Sequence, residues 1–139
     1  MTLTPRQMDL VRTTFAAIAP QADDVAQLFY ANLFQLDPSL RLLFRHDMRE
    51  QGRKLMQMLS VAVHALDHLE DIIPAVQALG ERHTGYGVTT DDYVTVGQAL
   101  IGTLEQGLGA AFTPEVKEAW TSTYVALVQA ATASLPEPA

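Results

Sequence analysis

The stretch Leu79-Gly80-Glu81-Arg82-His83-Thr84-Gly85-Tyr86-Gly87-Val88 decides how this chain is read. His83 stands near the end of a helical segment, just ahead of two glycines that can stop it. No other histidine of the chain is placed so well to hold a metal centre against a large apolar pocket. By itself a histidine at a helix end reads as a surface residue, so the weight falls on what lies upstream. Tyr30, Phe44, Gln51 and Leu55 are residue types that can enclose a bound group and a small guest: one phenol, one amide and two apolar side chains.

The bulk properties set the frame. A length of 139 residues gives one domain and enough chain to bury a core. With 48% apolar and 18% charged residues, the composition is that of a globular protein rather than a disordered one. The formal charge of −7 is offset by no basic cluster, which argues against a nucleic-acid partner. The absence of cysteine excludes disulfides, thiolate ligation of a metal, iron–sulfur clusters and cysteine catalysis. It fits a reducing, cytoplasmic setting. The N-terminus, Met1-Thr2-Leu3-Thr4-Pro5-Arg6, has no long apolar stretch of a signal peptide. No apolar run approaches the length of a membrane span, about 18 residues.

Helix punctuation runs the length of the chain. Thr4-Pro5-Arg6-Gln7 is a capping-box start with proline in the first turn, and Pro20 stops the helix it opens. A second helix is expected over about 22–35, with Val25, Leu28, Phe29, Leu33 and Leu36 recurring at intervals of three and four. Asp37-Pro38 opens a short segment ending near Phe44. Asp47 and Glu50 open a helix with Leu55, Leu59, Ala62 and Leu66 on one face, and Asp67 to Glu70 repeats the pattern ahead of Pro74. That segment is expected to end at Gly85 and Gly87. Thr89-Thr90-Asp91-Asp92 caps a long helix carrying Tyr93, Val96, Leu100, Ile101, Leu104 and Leu108. Thr113-Pro114-Glu115 caps the last, which carries Val116, Trp120, Tyr124, Leu127, Val128 and Ala131. No stretch alternates with period two between turn signals, so no sheet is expected.

About seven helices in this order, with a histidine late in the chain, resemble the globin fold. Leu28-Phe29-Tyr30-Ala31-Asn32-Leu33-Phe34, then Asp37-Pro38 and Leu43-Phe44, resembles the second helix and corner of bacterial globins. Arg82-His83-Thr84-Gly85-Tyr86-Gly87-Val88 resembles their haem-ligand segment. Tyr93-Val94-Thr95-Val96-Gly97 and Ala119-Trp120-Thr121-Ser122-Thr123-Tyr124 resemble the two closing helices. The likeness is to single-domain bacterial haemoglobins and to the haem domain of flavohaemoglobins. It implies an all-α fold of about seven helices around a haem pocket, a single globin domain over 1–135 with a frayed tail at 136–139, and haem b (iron protoporphyrin IX) as cofactor.

The resemblance implies a role for each site residue. His83 is the expected proximal iron ligand, a neutral nitrogen donor whose second ring N–H can reach the Leu79 carbonyl and so fix its tautomer. Tyr30 is the expected first donor to the bound gas. Bound O2 takes on negative charge, and a buried hydrogen bond to such an acceptor is worth about 1.5–3 kcal/mol. Gln51 stands where many globins carry a distal histidine; its amide can donate to the gas or to Tyr30 without binding iron itself. Leu55, one turn on, would keep the iron dry, and Phe44 would wedge against the porphyrin. Leu59, Val88, Tyr93, Val96, Leu100 and Trp120 complete the apolar slot, in which ordinary core packing is also part of their role. Lys54 and Arg82 can pair with the haem propionates. His64 and His68 have a metal-chelating spacing but no third ligand, and read as a solvated helix face; His46, at the corner, reads as exposed.

One departure matters. Flavohaemoglobins carry a glutamate late in the last helix that bonds the proximal histidine. Here that region reads Ala133-Ser134-Leu135, with no carboxylate before Glu137. The push toward O–O cleavage is therefore not expected, although Tyr93 is present. No Gly-rich dinucleotide turn or reductase domain is expected within the chain. The first functional expectation is reversible O2 binding for storage, transport or scavenging, with NO and CO as other gases. The second is nitric oxide dioxygenation with a separate reductase. Gas sensing with a partner and a cofactor-free helical module are the remaining alternatives.

Overall fold

A helix leaves its first N–H groups without internal partners, so the residue ahead of it decides where it begins. In the computed structural model, which describes residues 3–43, 47–72, 74 and 90–132, the described residues form five α-helices. These are α1 (Pro5–Ile18), α2 (Ala22–Leu36), α3 (Met48–His64), α4 (Thr90–Leu108) and α5 (Pro114–Thr132). Short 3-10 turns join them at Ala19–Gln21, Pro38–Leu43, Leu66–Asp71 and Gly109–Ala111. Four of the predicted caps are in place. Thr4 Oγ1 accepts from the Gln7 N–H at 3.1 Å while Gln7 Oε1 accepts from the Thr4 N–H at 3.0 Å. Asp47 accepts from the Arg49 N–H at 2.9 Å, and Thr113 Oγ1 from the Val116 N–H at 3.2 Å. Asp37 accepts from the Ser39 N–H at 3.1 Å. Pro20, inside the first 3-10 turn, separates α1 from α2.

The structure corrects one expectation. The sequence pattern carries the face of α3 to Leu66 and makes Asp67 the cap of a new helix. Instead α3 ends at His64, and Leu66–Asp71 is a 3-10 segment kinked at His68 (φ −148°, ψ 49°). The Asp67 carboxylate is drawn to side chains rather than to a helix N-terminus: it accepts from Arg12 of α1 at 3.0 Å and pairs with its neighbour His68 at 2.8 Å. The rest of that predicted helix, 75–87, and the tail, 133–139, lie outside the described residues.

The core sits where α2 is held between α3 and α4, with α1 laid across α5 and α3. Val11, Phe15, Phe29, Leu33, Leu59, Leu104 and Trp120 are buried there, and each such side chain contributes about 1.5–3 kcal/mol by leaving water. Phe15 and Trp120 pack as a tilted pair with centroids 6.4 Å apart, and the Trp120 N–H donates to Thr14 Oγ1 at 2.8 Å. Asn32 ties α2 to α4, donating to Thr103 Oγ1 at 3.1 Å and to Gln106 Oε1 at 2.9 Å. Leu36, placed by spacing on the apolar face of α2, is 51% exposed at its end. Among the described residues there is no strand, and no helix is long and apolar enough to cross a membrane.

Candidate functional site

Glycine inside a helix is costly, by about 1 kcal/mol relative to alanine, so Gly52 in the second turn of α3 needs a reason. A Cβ at this position would lie 2.8 Å from the Cβ of Ala26 on α2. Its absence lets the two helices cross at backbone distance. The crossing carries Tyr30 of α2 to the first turn of α3, where its hydroxyl reaches the Gln51 carbonyl oxygen at 3.5 Å. That distance is at the outer limit of a hydrogen bond. Two sequence-predicted site residues, 21 positions apart, thus meet on one side of the core, with Leu55 one turn further on and half-buried.

The Tyr30 ring is fixed by aromatic neighbours. Phe29 meets it edge-on at 5.1 Å, Phe34 lies nearly parallel at 6.0 Å, and the Arg41 guanidinium caps Phe34 at 5.5 Å. Burial pushes the Tyr30 phenol up to about 12 because the phenolate would lose its hydration. The side chain is therefore a neutral donor at any physiological pH.

Leu55, Leu59, Leu100 and Trp120, expected in one apolar slot, share the lining of a single small void with Phe29 and Met56. The polar groups at its edge are already used. Thr103 donates to the Ala99 carbonyl at 2.7 Å and accepts from Asn32, and Trp120 donates to Thr14. The rest of the lining is apolar. Trp120 is thereby committed to the α1 side of the core. Val96 is half-buried against the same core, and Lys54 is exposed on α3.

Tyr93, in the first turn of α4, places its hydroxyl out of contact with water and without a hydrogen-bond partner among the described residues. Burial raises its phenol above the ordinary tyrosine value. Sequence reasoning gave its neighbour Tyr124 a place in the last helix and no part in the site. The Tyr124 hydroxyl donates to the Tyr93 carbonyl at 2.5 Å, and its phenol too is raised, by burial and by the nearby Tyr93. The signal that could have found it is Gly97, one of three glycines inside α4: a Cβ there would lie 2.8 Å from the Tyr124 ring.

The expected iron ligand His83, together with Phe44, His46, Leu79, Arg82 and Val88, lies outside the described residues. The two described histidines are exposed and turned to local partners. His64 Nδ1 bonds the Ser60 carbonyl at 2.7 Å, and His68 Nδ1 bonds Asp67. The helix break between them removes the spacing that made them a chelating pair. No cluster of three metal-ligating side chains occurs among the described residues.

A model of the globin family matches residues 27–131, well over half of the chain. The chain belongs to the globin family, and membership implies haem binding and a diatomic ligand. Among its relatives, a flavohemoprotein of Vibrio cholerae is 28% identical over 130 residues, covering 91% of this chain and 33% of that protein. A flavohemoprotein of Deinococcus radiodurans is 30% identical over 126 residues, covering 88% and 31%. The chain thus spans about a third of the length of these relatives. An engineered carbene transferase and candidate nitric oxide dioxygenase from Rhodothermus marinus superposes with a TM-score of 0.83 at 24% identity, over 92% of this chain and 89% of that one. This superposition establishes the all-α globin fold.

Proposed function

We propose that this globin binds O2 reversibly on haem b, with His83 as the iron ligand and Tyr30 and Gln51 over the opposite face. The observation that carries the reading is the buried, neutral Tyr30 phenol brought to Gln51 by the Gly52 crossing. The residues fit the group: a buried Tyr93 hydroxyl without a partner among the described residues, phenols held in their donor form, and apolar walls suit a flat apolar cofactor and a small polar guest. Haem held by these residues would supply an iron able to bind the gas. Tyr30 donates a hydrogen bond to the guest, and Gln51 offers a second donor from its amide. Leu55 and Phe44 exclude water. Leu59, Val88, Tyr93, Val96, Leu100 and Trp120 form or back the walls of the slot. His83 gives a neutral nitrogen, oriented through the Leu79 carbonyl. Lys54, exposed on α3, and Arg82 pair with the propionates at the mouth. The outward commitment of His64 and His68 supports His83 by removing two of the four histidines from contention.

On this reading residues 1–135 act as one globin unit in a reducing cytosol, as a store, carrier or scavenger of O2. The test is reconstitution with hemin followed by O2 dissociation measured after flash photolysis. An intense Soret band and slow O2 release are expected. His83→Ala is expected to lose the cofactor or hold it weakly; normal five-coordinate haem in that variant would assign the iron to another residue.

A second reading, nitric oxide dioxygenation fed by a reductase, is favoured by the flavohemoprotein relatives and by the Rhodothermus structure. The same pocket serves both, because the hard chemistry belongs to the cofactor. Sustained NO consumption under O2 with an added reductase supports this second reading. Consumption that stops after one equivalent supports the binder.

A further inference from the structure

We infer that Tyr124 is a positioning residue for the Tyr93 phenol, through a clasp that closes on Gly97. The inference rests on the reading above, in which Tyr93 borders the haem slot. Tyr124 reaches from α5 to α4 and grips one turn of it at two points. Its ring lies where a side chain on residue 97 would be, with Cε2 2.8 Å and Cδ2 3.1 Å from the position of a Cβ. Its hydroxyl donates to the Tyr93 carbonyl oxygen at 2.5 Å. In an α-helix that same carbonyl accepts from the N–H four residues on, which here is the N–H of Gly97. The ring and the hydroxyl therefore hold the two ends of one helical hydrogen bond, and Tyr93 is carried on it.

The Tyr93 side chain gets no such hold from its own O–H, which is buried without a partner among the described residues. The direction of that phenol is set by its backbone, and its backbone is set by Tyr124. A tyrosine acting only as filler would need no buried hydroxyl, and a glycine acting only as a helix residue would be better as alanine. The pairing of a ring-accepting glycine with a carbonyl-seeking hydroxyl accounts for both residues together.

Four proteins test this: wild type, Tyr93→Phe, Tyr124→Phe and the double variant. Tyr124→Phe keeps the ring over Gly97 and removes only the oxygen. In the hemin-reconstituted proteins the midpoint potential of the iron is measured. Tyr124→Phe is expected to shift it in the same direction as Tyr93→Phe, and to add nothing once Tyr93 is already Phe. An unchanged potential in Tyr124→Phe, or an equal further shift in the double variant, would overturn the inference. In the haem-free proteins, ring-labelled tyrosine NMR follows the ionisation of Tyr93. Its titration is expected to fall toward the ordinary tyrosine value in Tyr124→Phe, as the loosened phenol meets water; an unmoved titration counts against positioning. A wild type that takes up no hemin would end the haem reading, while the titration would still decide the role of Tyr124.

Discussion

Tyr30 shows how burial selects a chemical state. Removing the phenol from water costs the charged form far more than the neutral one, so the proton stays on up to about 12 and the group can only donate. Tyr30→Phe keeps the ring against Phe29 and Phe34 and deletes the donor. O2 release from the reconstituted protein is expected to accelerate about ten- to a hundredfold, the equivalent of about 1.5–3 kcal/mol; an unchanged off-rate would remove Tyr30 from its role. Gln51→Leu is expected to have the smaller effect, and a larger one would reverse the ranking. The same burial predicts a pH dependence. Between about 10, where an unfolded tyrosine ionises, and about 12, where the folded one does, the native state keeps a proton that the unfolded chain gives up. Stability is therefore full below the lower value and falls as pH rises through that window. Urea unfolding of Tyr30→Phe across it is expected to show a shallower alkaline decline than wild type.

At the scale of elements, two glycines in helices behave oppositely because of what lies beside them. Gly52→Ala sets a Cβ 2.8 Å from the Cβ of Ala26, and neither atom can rotate away. Overpacking of this kind costs about 1–3 kcal/mol, more than the roughly 1 kcal/mol gained from alanine's helix propensity. A net loss of stability is expected, together with faster O2 release as α3 is pushed off α2. Gly102→Ala meets nothing within 4 Å and is expected to stabilise by up to about 1 kcal/mol. Paired denaturation curves read both signs at once. Most elements were legible in the sequence because their ends are written locally, as hydroxyl and carboxylate caps followed by first-turn prolines. The end of α3 was not. The Asp67 to Glu70 pattern is a valid cap by spacing, and a partner 55 residues away, Arg12, took the carboxylate instead.

Over the whole molecule, the bond from Trp120 to Thr14 joins α5 to α1 inside the core. Thr14→Val keeps the volume and strands the indole N–H in a buried site, at a cost of about 1–3 kcal/mol. A lower unfolding midpoint is expected without a change in gas kinetics, because this bond joins α1 to α5 and neither Tyr30 nor Gln51 takes part in it. A parallel rise in the O2 off-rate would show that the α1–α5 joint reaches the distal side. The candidate site was legible only in part. Tyr30, Gln51 and Leu55 were named from residue type together with the resemblance to globins, while Gly52, Gly97 and Tyr124 went unassigned, since a close approach leaves no mark except a glycine where alanine would be better.

The sequence by itself determined the helical class and most helix boundaries, because caps and apolar periods act within a few residues; its candidate donors rest on the resemblance to globins. Only the tertiary structure decided which turns touch: that Gly52 admits Ala26, that Gln51 offers Tyr30 a carbonyl rather than its amide alone, and that Tyr124 holds the turn bearing Tyr93. Those contacts join residues 21 to 31 positions apart, and their selection depends on how closely two backbones can pass.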